Sequence, residues 1–442
     1  MVALTGCATY HSAPIEPARV LDELEALEWS PPRVEKPIRD SNVPDSEQVG
    51  PRELAAFAVS TNPRLAAVRA EIGVRRALLV EAGLLPDPEF GWDAMNVLAS
   101  QVLDRTSSPH DTLSGLGLMF PLLRPGERGA RVGVAEWRAE EAHRMVASAE
   151  WWLTREVHVA YEEVQGAEAL LAQTQALTEL AESTNDYFSR ARDAGAATAI
   201  QANLALGEFQ AIRLQGIRVE ARVRQARQGL NALLGLPPDI VLVLTDGEDP
   251  SDSEFLREGA AELTAYAVES RPDLAALLAQ YQAAEEQVRL AVSKQYPSVA
   301  IGTGISLTLP VFSKFGRPEI QTAIAKREQL GREFTAAVHT ARQEIAAAHT
   351  LWRLAEREVE LVESELLPNA EQNLELSQEA FRAGEVTLLE TLALQRALVA
   401  ARTQYTESRA ERSKRAWKLL ATSGRLLGAP LNNNSNNEEV SQ

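Results

Sequence analysis

Cysteine is almost absent from this chain. Among 442 residues there is one, Cys7, so no disulfide framework exists. Aromatic residues are scarce, at 5%, while apolar residues overall reach 45% and Ala, Leu, Glu, Gln and Arg are abundant. That balance marks long packed helices more than a sheet-rich core. Basic residues are outnumbered, 44 Lys and Arg against 62 Asp and Glu, for a net charge of −18. A nucleic-acid partner is excluded, because polyanions need a basic footprint. No run of about 18 apolar residues occurs, so no transmembrane helix is expected. A membrane location would have to come from strands or from a lipid.

Recognisable reaction chemistry is also missing. The six histidines stand at 11, 110, 143, 158, 339 and 349, and none pairs at i, i+3 or i, i+4. A helical metal site is therefore not expected. The four methionines do not cluster, and there is no Walker loop and no GxSxG elbow. Acidic residues are spread along helix faces, where solvation or i, i+4 pairing is the default. No catalytic residue, metal or cofactor is expected, and the chain does not read as an enzyme.

What is present begins at the N-terminus. Leu4-Thr5-Gly6-Cys7 reads as a lipobox, with Cys7 the residue acylated after cleavage. Ala8 behind it fits sorting to an outer membrane. The polar, Pro-rich stretch from Ser12 to Pro44 reads as a tether. Met1 to Gly6 is shorter than a signal peptide requires, which predicts a truncated or misassigned start.

The dominant signal is an internal duplication. Asn62-Pro-Arg-Leu-Ala-Ala-Val resembles Arg271-Pro-Asp-Leu-Ala-Ala-Leu. Leu85-Pro86 and Tyr296-Pro297 break the helical runs that follow. Met119-Phe-Pro-Leu-Leu123 matches Thr308-Leu-Pro-Val-Phe312, and Ala194-Gly-Ala-Ala-Thr198 matches Ala383-Gly-Glu-Val-Thr387. Pro121 to Pro310 and Gly195 to Gly384 share one and the same offset. Leu233-Leu-Gly235 echoes Leu426-Leu-Gly428.

Between Pro125 and Pro237 there is no proline, and between Pro318 and Pro430 only Pro368. A helix of about 60 residues would reach roughly 90 Å. Helices that long must pack side by side. Leu153, Val157, Ala160, Val164, Ala167 and Leu171 step by four and three, a coiled-coil seam. Leu351, Ala355, Val359, Val362, Leu366, Ala370 and Leu374 give a similar stripe. Gly195 and Gly384 fall midway and read as hairpin tips, where φ > 0 is cheap for glycine. Pro368 is expected to kink its helix. Strands are expected over Phe90–Val97 and Thr112–Phe120, each about the nine residues a membrane barrel needs.

This order of lipobox, tether, short helix, strand hairpin and long helical hairpin, then the set again, resembles the TolC-like outer-membrane efflux family. Ala82-Gly-Leu-Leu-Pro-Asp-Pro88, Phe120-Pro-Leu-Leu-Arg-Pro-Gly-Glu-Arg128 and Leu307-Thr-Leu-Pro-Val-Phe312 look most like its heavy-metal, Czc/Cus-type branch. The resemblance covers about residues 50 to 430. It implies a mainly α fold with a small β part: duplicated antiparallel helical hairpins forming a coiled-coil tunnel, and strands for a trimeric membrane β-barrel. The implied boundaries are 1–6 signal-peptide remnant, 7–50 lipidated tether, 51–240 first repeat, 241–262 linker, 263–430 second repeat and 431–442 disordered tail. The implied function is a passive exit duct for metal cations or small drugs in the outer membrane of a Gram-negative bacterium. Its implied partners are a homotrimer, a periplasmic adaptor, an inner-membrane RND-type pump and outer-membrane lipid. The adaptor would dock at Gly195 with Thr198 and Gly384 with Thr387. In that family an acidic residue six positions after the second tip glycine lines the closed aperture; here that is Glu390, with Gln201 at the matching first-repeat position. Three Glu390 carboxylates around one axis would attract cations. The rival reading is a coiled-coil scaffold or adaptor that never enters a membrane.

The copies are unequal. The offset from Pro86 to Pro297 is larger than that from Pro121 to Pro310. The second strand segment is therefore shorter, by about 22 residues. Ser298 to Leu309 cannot hold two spanning strands; a tight hairpin about Gly302-Thr303-Gly304 reaches partway.

Overall fold

The computed structural model describes residues 12–29, 49–92, 116–245, 249–302, 305–312 and 314–426. Helices dominate, and proline starts several of them, because its fixed φ suits the first turn and no N–H is lost there. These include α1 (Pro17–Glu25), α2 (Pro51–Thr61) and α3 (Pro63–Gly83). Strands β1 (Glu89–Trp92) and β2 (Leu116–Leu122) follow, then α4 (Glu127–Asp193) and α5 (Ala199–Leu234). The second copy holds α6 (Ala260–Ser270), α7 (Pro272–Ser293), β3 (Ser298–Gly302) and β4 (Ile305–Thr308). It ends with α8 (Arg317–Leu361), a π-turn at Val362–Leu366, α9 (Leu367–Ala383) and α10 (Leu388–Thr422).

The duplication is visible element by element. Helices α2 and α6 both have 11 residues, and α3 and α7 have 21 and 22. Helix α4 has 67 residues; α8, the π-turn and α9, of 45, 5 and 17, cover the same length. The helix after the tip closes alike in both copies. Leu236 N–H donates to Asn231 O, and Arg425 N–H to Leu420 O, at the same offset that relates the two tip glycines. The structural partner of Gly235 is thus Gly424, also at positive φ, in place of the expected Gly428. At the α2/α3 break, Asn62 Nδ2 donates to Leu233 O at 2.8 Å; at the α6/α7 break, Arg271 donates to Thr422 O at 3.4 Å. Each copy thus caps its last helix with its own first break. The neutral amide of one copy is a guanidinium in the other. Arg271 is buried and also pairs with Asp273 at 2.7 Å and Glu344 at 3.0 Å.

The seam on α4 differs in detail from the expected stripe. Leu153, Val157, Val164 and Ala167 are buried, but Tyr161 and Leu170 are the buried neighbours in place of Ala160 and Leu171. In the second copy Ala355, Val359, Val362, Ala370 and Leu374 are buried, whereas Leu351 and Leu366 are exposed. At Leu351 the neighbouring Trp352 is buried instead; at Leu366 the reason is the π-turn. Pro368 has no N–H, and its ring would meet the carbonyl four residues back. The wide turn relieves this by adding a residue, so the seam steps eight from Val362 to Ala370 and Leu366 rotates outward. The expected kink is a π-turn.

The chain forms two compact units. One comprises residues 1–63, 153–256 and 350–418, the other 64–152, 257–349 and 419–442. Both draw on both copies, so the repeats are not folding domains. The second unit contains the antiparallel sheet, in the order β1-β2-β3-β4. The strand expected over Phe90–Val97 begins as β1, with residues 93–115 outside the described set. Of the strand expected over Thr112–Phe120, the described part from Leu116 onward lies in β2, which runs on to Leu122. The short second hairpin is present as β3 and β4, with Ile301 opposite Ile305; Thr303 and Gly304 lie outside the described residues. At about 3.3 Å per residue, the five residues of β3 reach only about 17 Å.

Candidate functional site

Two features are the candidates for function: the faces of the sheet and the hairpin tips. Residues directly opposite in an antiparallel ladder share a face. Phe90 pairs with Leu118, Phe120 with Ile301, Leu122 with Val299, Ile301 with Ile305 and Val299 with Leu307. One face is therefore wholly apolar. Phe90, Leu118, Phe120, Leu122, Ile301, Ile305 and Leu307 on it are exposed. The other face holds Glu89, Met119, Pro121, Ser298, Ala300, Gly302, Ser306 and Thr308. A bare apolar face backed by small and polar residues is the binary pattern of a barrel with lipid outside and water inside. Pro121 stands beyond the last β1 pair, Glu89 with Met119, where β2 is paired on one side only and a missing N–H costs least. Among the described residues, no helix is long and apolar enough to cross a membrane.

The tips are built by local chemistry, twice. Gly195 (φ 73°) and Gly384 (φ 79°) end α4 and α9 in the left-handed region, where a Cβ would be strained. The next residues return hydrogen bonds to the helix: Ala196 N–H to Ala191 O at 2.7 Å and Glu385 N–H to Ala380 O at 2.8 Å. Three residues after each glycine a threonine starts the returning helix. Thr198 N–H donates to Gln201 Oε1 at 2.8 Å, and Gln201 N–H to Thr198 Oγ1 at 3.2 Å. Thr387 N–H donates to Glu390 Oε2 at 2.7 Å, and Glu390 N–H to Thr387 Oγ1 at 3.3 Å. Both are capping boxes. So Thr198, Gln201, Thr387 and Glu390 first of all hold the turns. Hydrogen bonds from the Thr387 backbone and hydroxyl hold the Glu390 carboxyl below the usual range, so it carries its charge. Glu390 is exposed, and its unused lone pairs face solvent.

The two tips are joined within their unit. Phe188 of α4, Ala205 of α5 and Leu392 of α10 form one apolar cluster, with Phe381 of α9 against it. Just behind, Arg396 of α10 pairs with the buried Glu208 of α5. Ser377 Oγ donates to Thr391 Oγ1 at 3.1 Å. Further along α4 lies a half-buried ionisable group that sequence reading missed. Trp417 Nε1–H donates to Glu162 at 3.1 Å, and its ring packs 4.1 Å from that of His158. Burial pushes the Glu162 carboxyl up to about 7; the Trp417 hydrogen bond and Lys414 oppose this, while Asp249 adds to it. Burial lowers His158. No sequence signal marks Glu162, because Asp249, Lys414 and Trp417 all lie far along the chain from it. The capping boxes did have one, the T-x-x-[EQ] spacing. Cys7 lies outside the described residues. Among the described residues, no group of three or more His, Cys, Asp or Glu is placed to hold a metal ion.

A sheet with one lipid-ready face and antiparallel hairpins of very long helices are the two parts that a channel of the tunnel-and-barrel class requires. Comparison with known proteins agrees. Residues 56–236 match the outer membrane efflux protein family. The chain is 23% identical over 377 residues to the cobalt-zinc-cadmium resistance protein CzcC of Cupriavidus metallidurans, covering 81% of this chain and 87% of that protein. A membrane protein from Pseudomonas aeruginosa has a similar fold, at TM-score 0.70 and 20% identity, over 90% of this chain and all of that one. CusC, a protein that forms a transmembrane channel, has a similar fold at TM-score 0.67 and 15% identity, over 90% of this chain and 99% of that one. The chain thus matches the outer membrane efflux protein family over residues 56–236 and shares the fold of TolC-like outer-membrane channels. It is an outer-membrane channel subunit of a tripartite efflux system, a duct and not a scaffold.

Proposed function

We propose that the chain forms a homotrimeric duct for metal cations, anchored by lipid on Cys7. Each subunit gives its four strands to a shared barrel and its helical hairpins to a periplasmic tunnel. An inner-membrane RND-type pump supplies the energy, and a periplasmic adaptor docks at Gly195 with Thr198 and Gly384 with Thr387. The working repeats are 51–240 and 263–430, joined by the linker 241–262. The exposed, wholly apolar sheet face carries the membrane reading, since water would penalise it and lipid would not. Likeness to CzcC supports metal ions as cargo over small drugs, and the net charge of −18 suits a lumen that admits cations. At the aperture, Glu390 repeats around the three-fold axis as a ring of charge, with Gln201 at the corresponding first-repeat position.

The ring has a clean test. Gln201 shows that glutamine makes the same capping box as glutamate, so Glu390→Gln removes charge while keeping the turn. Single-channel recordings should show divalent-cation block weakened by about tenfold, with the trimer's heat resistance unchanged. Unaltered block would exclude Glu390 from the aperture.

A further inference from the structure

Where the helices meet the sheet, a cavity of about 460 Å³ opens between the start of α4 and the end of α7. Three glycines make room for it: Gly126, Gly129 and Gly133 line it from the α4 side. A Cβ placed on Gly129 would meet nothing within 4 Å, whereas one on Gly133 would stand 3.0 Å from the Glu286 carboxylate. The missing side chains thus leave space that Glu286 leans into from α7. Glu136 and Arg289 also line the cavity, as do Trp137 and Tyr296. Arg289 pairs with Glu286 at 2.7 Å, but its side chain is 66% exposed, against 16% for Glu286. Such an exposed i, i+3 pair is weak and readily re-partnered.

The position matters as much as the lining. Tyr296 stands two residues before β3, and Gly126 four residues after β2. The sheet that carries the exposed apolar face therefore begins at the cavity. On the reading of that face as lipid-facing, on which this inference rests, the cavity lies at the level of the headgroups. Half-exposed Trp and Tyr are at home at that level. Two carboxylates and one guanidinium suit a group that is itself both cationic and anionic. An ammonium would meet Glu136 and Glu286, and a phosphate would meet Arg289. A purely anionic headgroup would face the carboxylates unpaired. We propose that this cavity binds the headgroup of an aminophospholipid, phosphatidylethanolamine in chemical class, whose acyl chains run along the apolar face of the sheet.

Native mass spectrometry of the full-length trimer, titrated with phosphatidylethanolamine or phosphatidylglycerol, tests this. The ethanolamine lipid should be retained to one copy per subunit with about tenfold preference. Glu136→Gln combined with Glu286→Gln should abolish the preference. Gly129→Leu, which fills open space, should cut retention by about fivefold or more while single-channel conductance in planar bilayers stays unchanged. Equal retention of the two lipids, or undiminished retention in Gly129→Leu, would overturn the site. So would a crosslink from residue 129 to a neighbouring subunit, since another chain would then fill the space. Conducting trimers with any of those results leave the channel reading standing; a chain that forms no conducting trimer fails that reading first.

Discussion

The most telling single residue is Glu162, a carboxyl held among His158, Trp417, Lys414 and Asp249 with its proton affinity raised to about 7. Its ordinary value is 4.5. The folded state therefore binds this proton more tightly than the unfolded chain does. The resulting stabilisation is fully present below about pH 4.5 and is lost as pH rises through about 7. Glu162→Gln keeps a carbonyl for the Trp417 N–H without the ionisation. The variant should melt a few degrees above the parent at pH 8, a difference of about 2 kcal/mol, with the gap closing at pH 5. A gap that is the same at both pH values would show that burial does not govern this carboxyl. Nothing local in the chain hinted at it, whereas Gly195 and Gly384 were legible as tips from their placement midway along proline-poor runs. Glu390 was legible as a position; its part in a capping box was written in the Thr387-x-x-Glu390 spacing but became evident only with the hydrogen bonds.

Among elements, α4 and α10 approach each other closely in the tip-bearing unit. A Cβ added at Gly166 would stand 2.6 Å from Ala410 Cβ, so the two backbones meet where neither bears a large side chain. Gly166→Leu should cost about 2–3 kcal/mol and lower the melting temperature measurably. Gly207→Leu on α5, where an added Cβ meets nothing within 4 Å, serves as the control. Equal melting of the two variants would show that the α4–α10 contact is loose. Element existence followed from period and punctuation; the buried face did not follow completely. Leu366 fits the apolar stripe on paper, yet the π-turn that accommodates Pro368 adds one residue and turns it to solvent. A period counted along a sequence assumes a regular helix, and proline had changed the local geometry.

For the whole molecule, the unequal copies set the expectation. The second hairpin is too short to span a bilayer, with four residues in β4 where about nine are needed. Lengthening β3 and β4 by about five residues each, apolar and polar in alternation, should raise the heat resistance of the trimer in detergent. An unchanged or lower resistance would show that the short hairpin already completes its barrel. The shortening itself was readable, since the offset between copies is larger at Pro86 and Pro297 than at Pro121 and Pro310. The division into two units, each drawing on both copies, was not, because packing does not follow chain order.

The sequence by itself determined the duplicated helical hairpins, their tips and the short second hairpin. These rest on local physics: the φ preference of glycine, the missing N–H of proline and the three-and-four spacing of apolar residues. Only the tertiary structure decided the remainder. It set the register that joins β2 of one copy to β3 of the other and so assembles one apolar face. It set the cap that Arg271 places on α10, the ionisation of Glu162, and the cavity beside the sheet. Each depends on groups far apart in the chain, whose meeting no local propensity specifies.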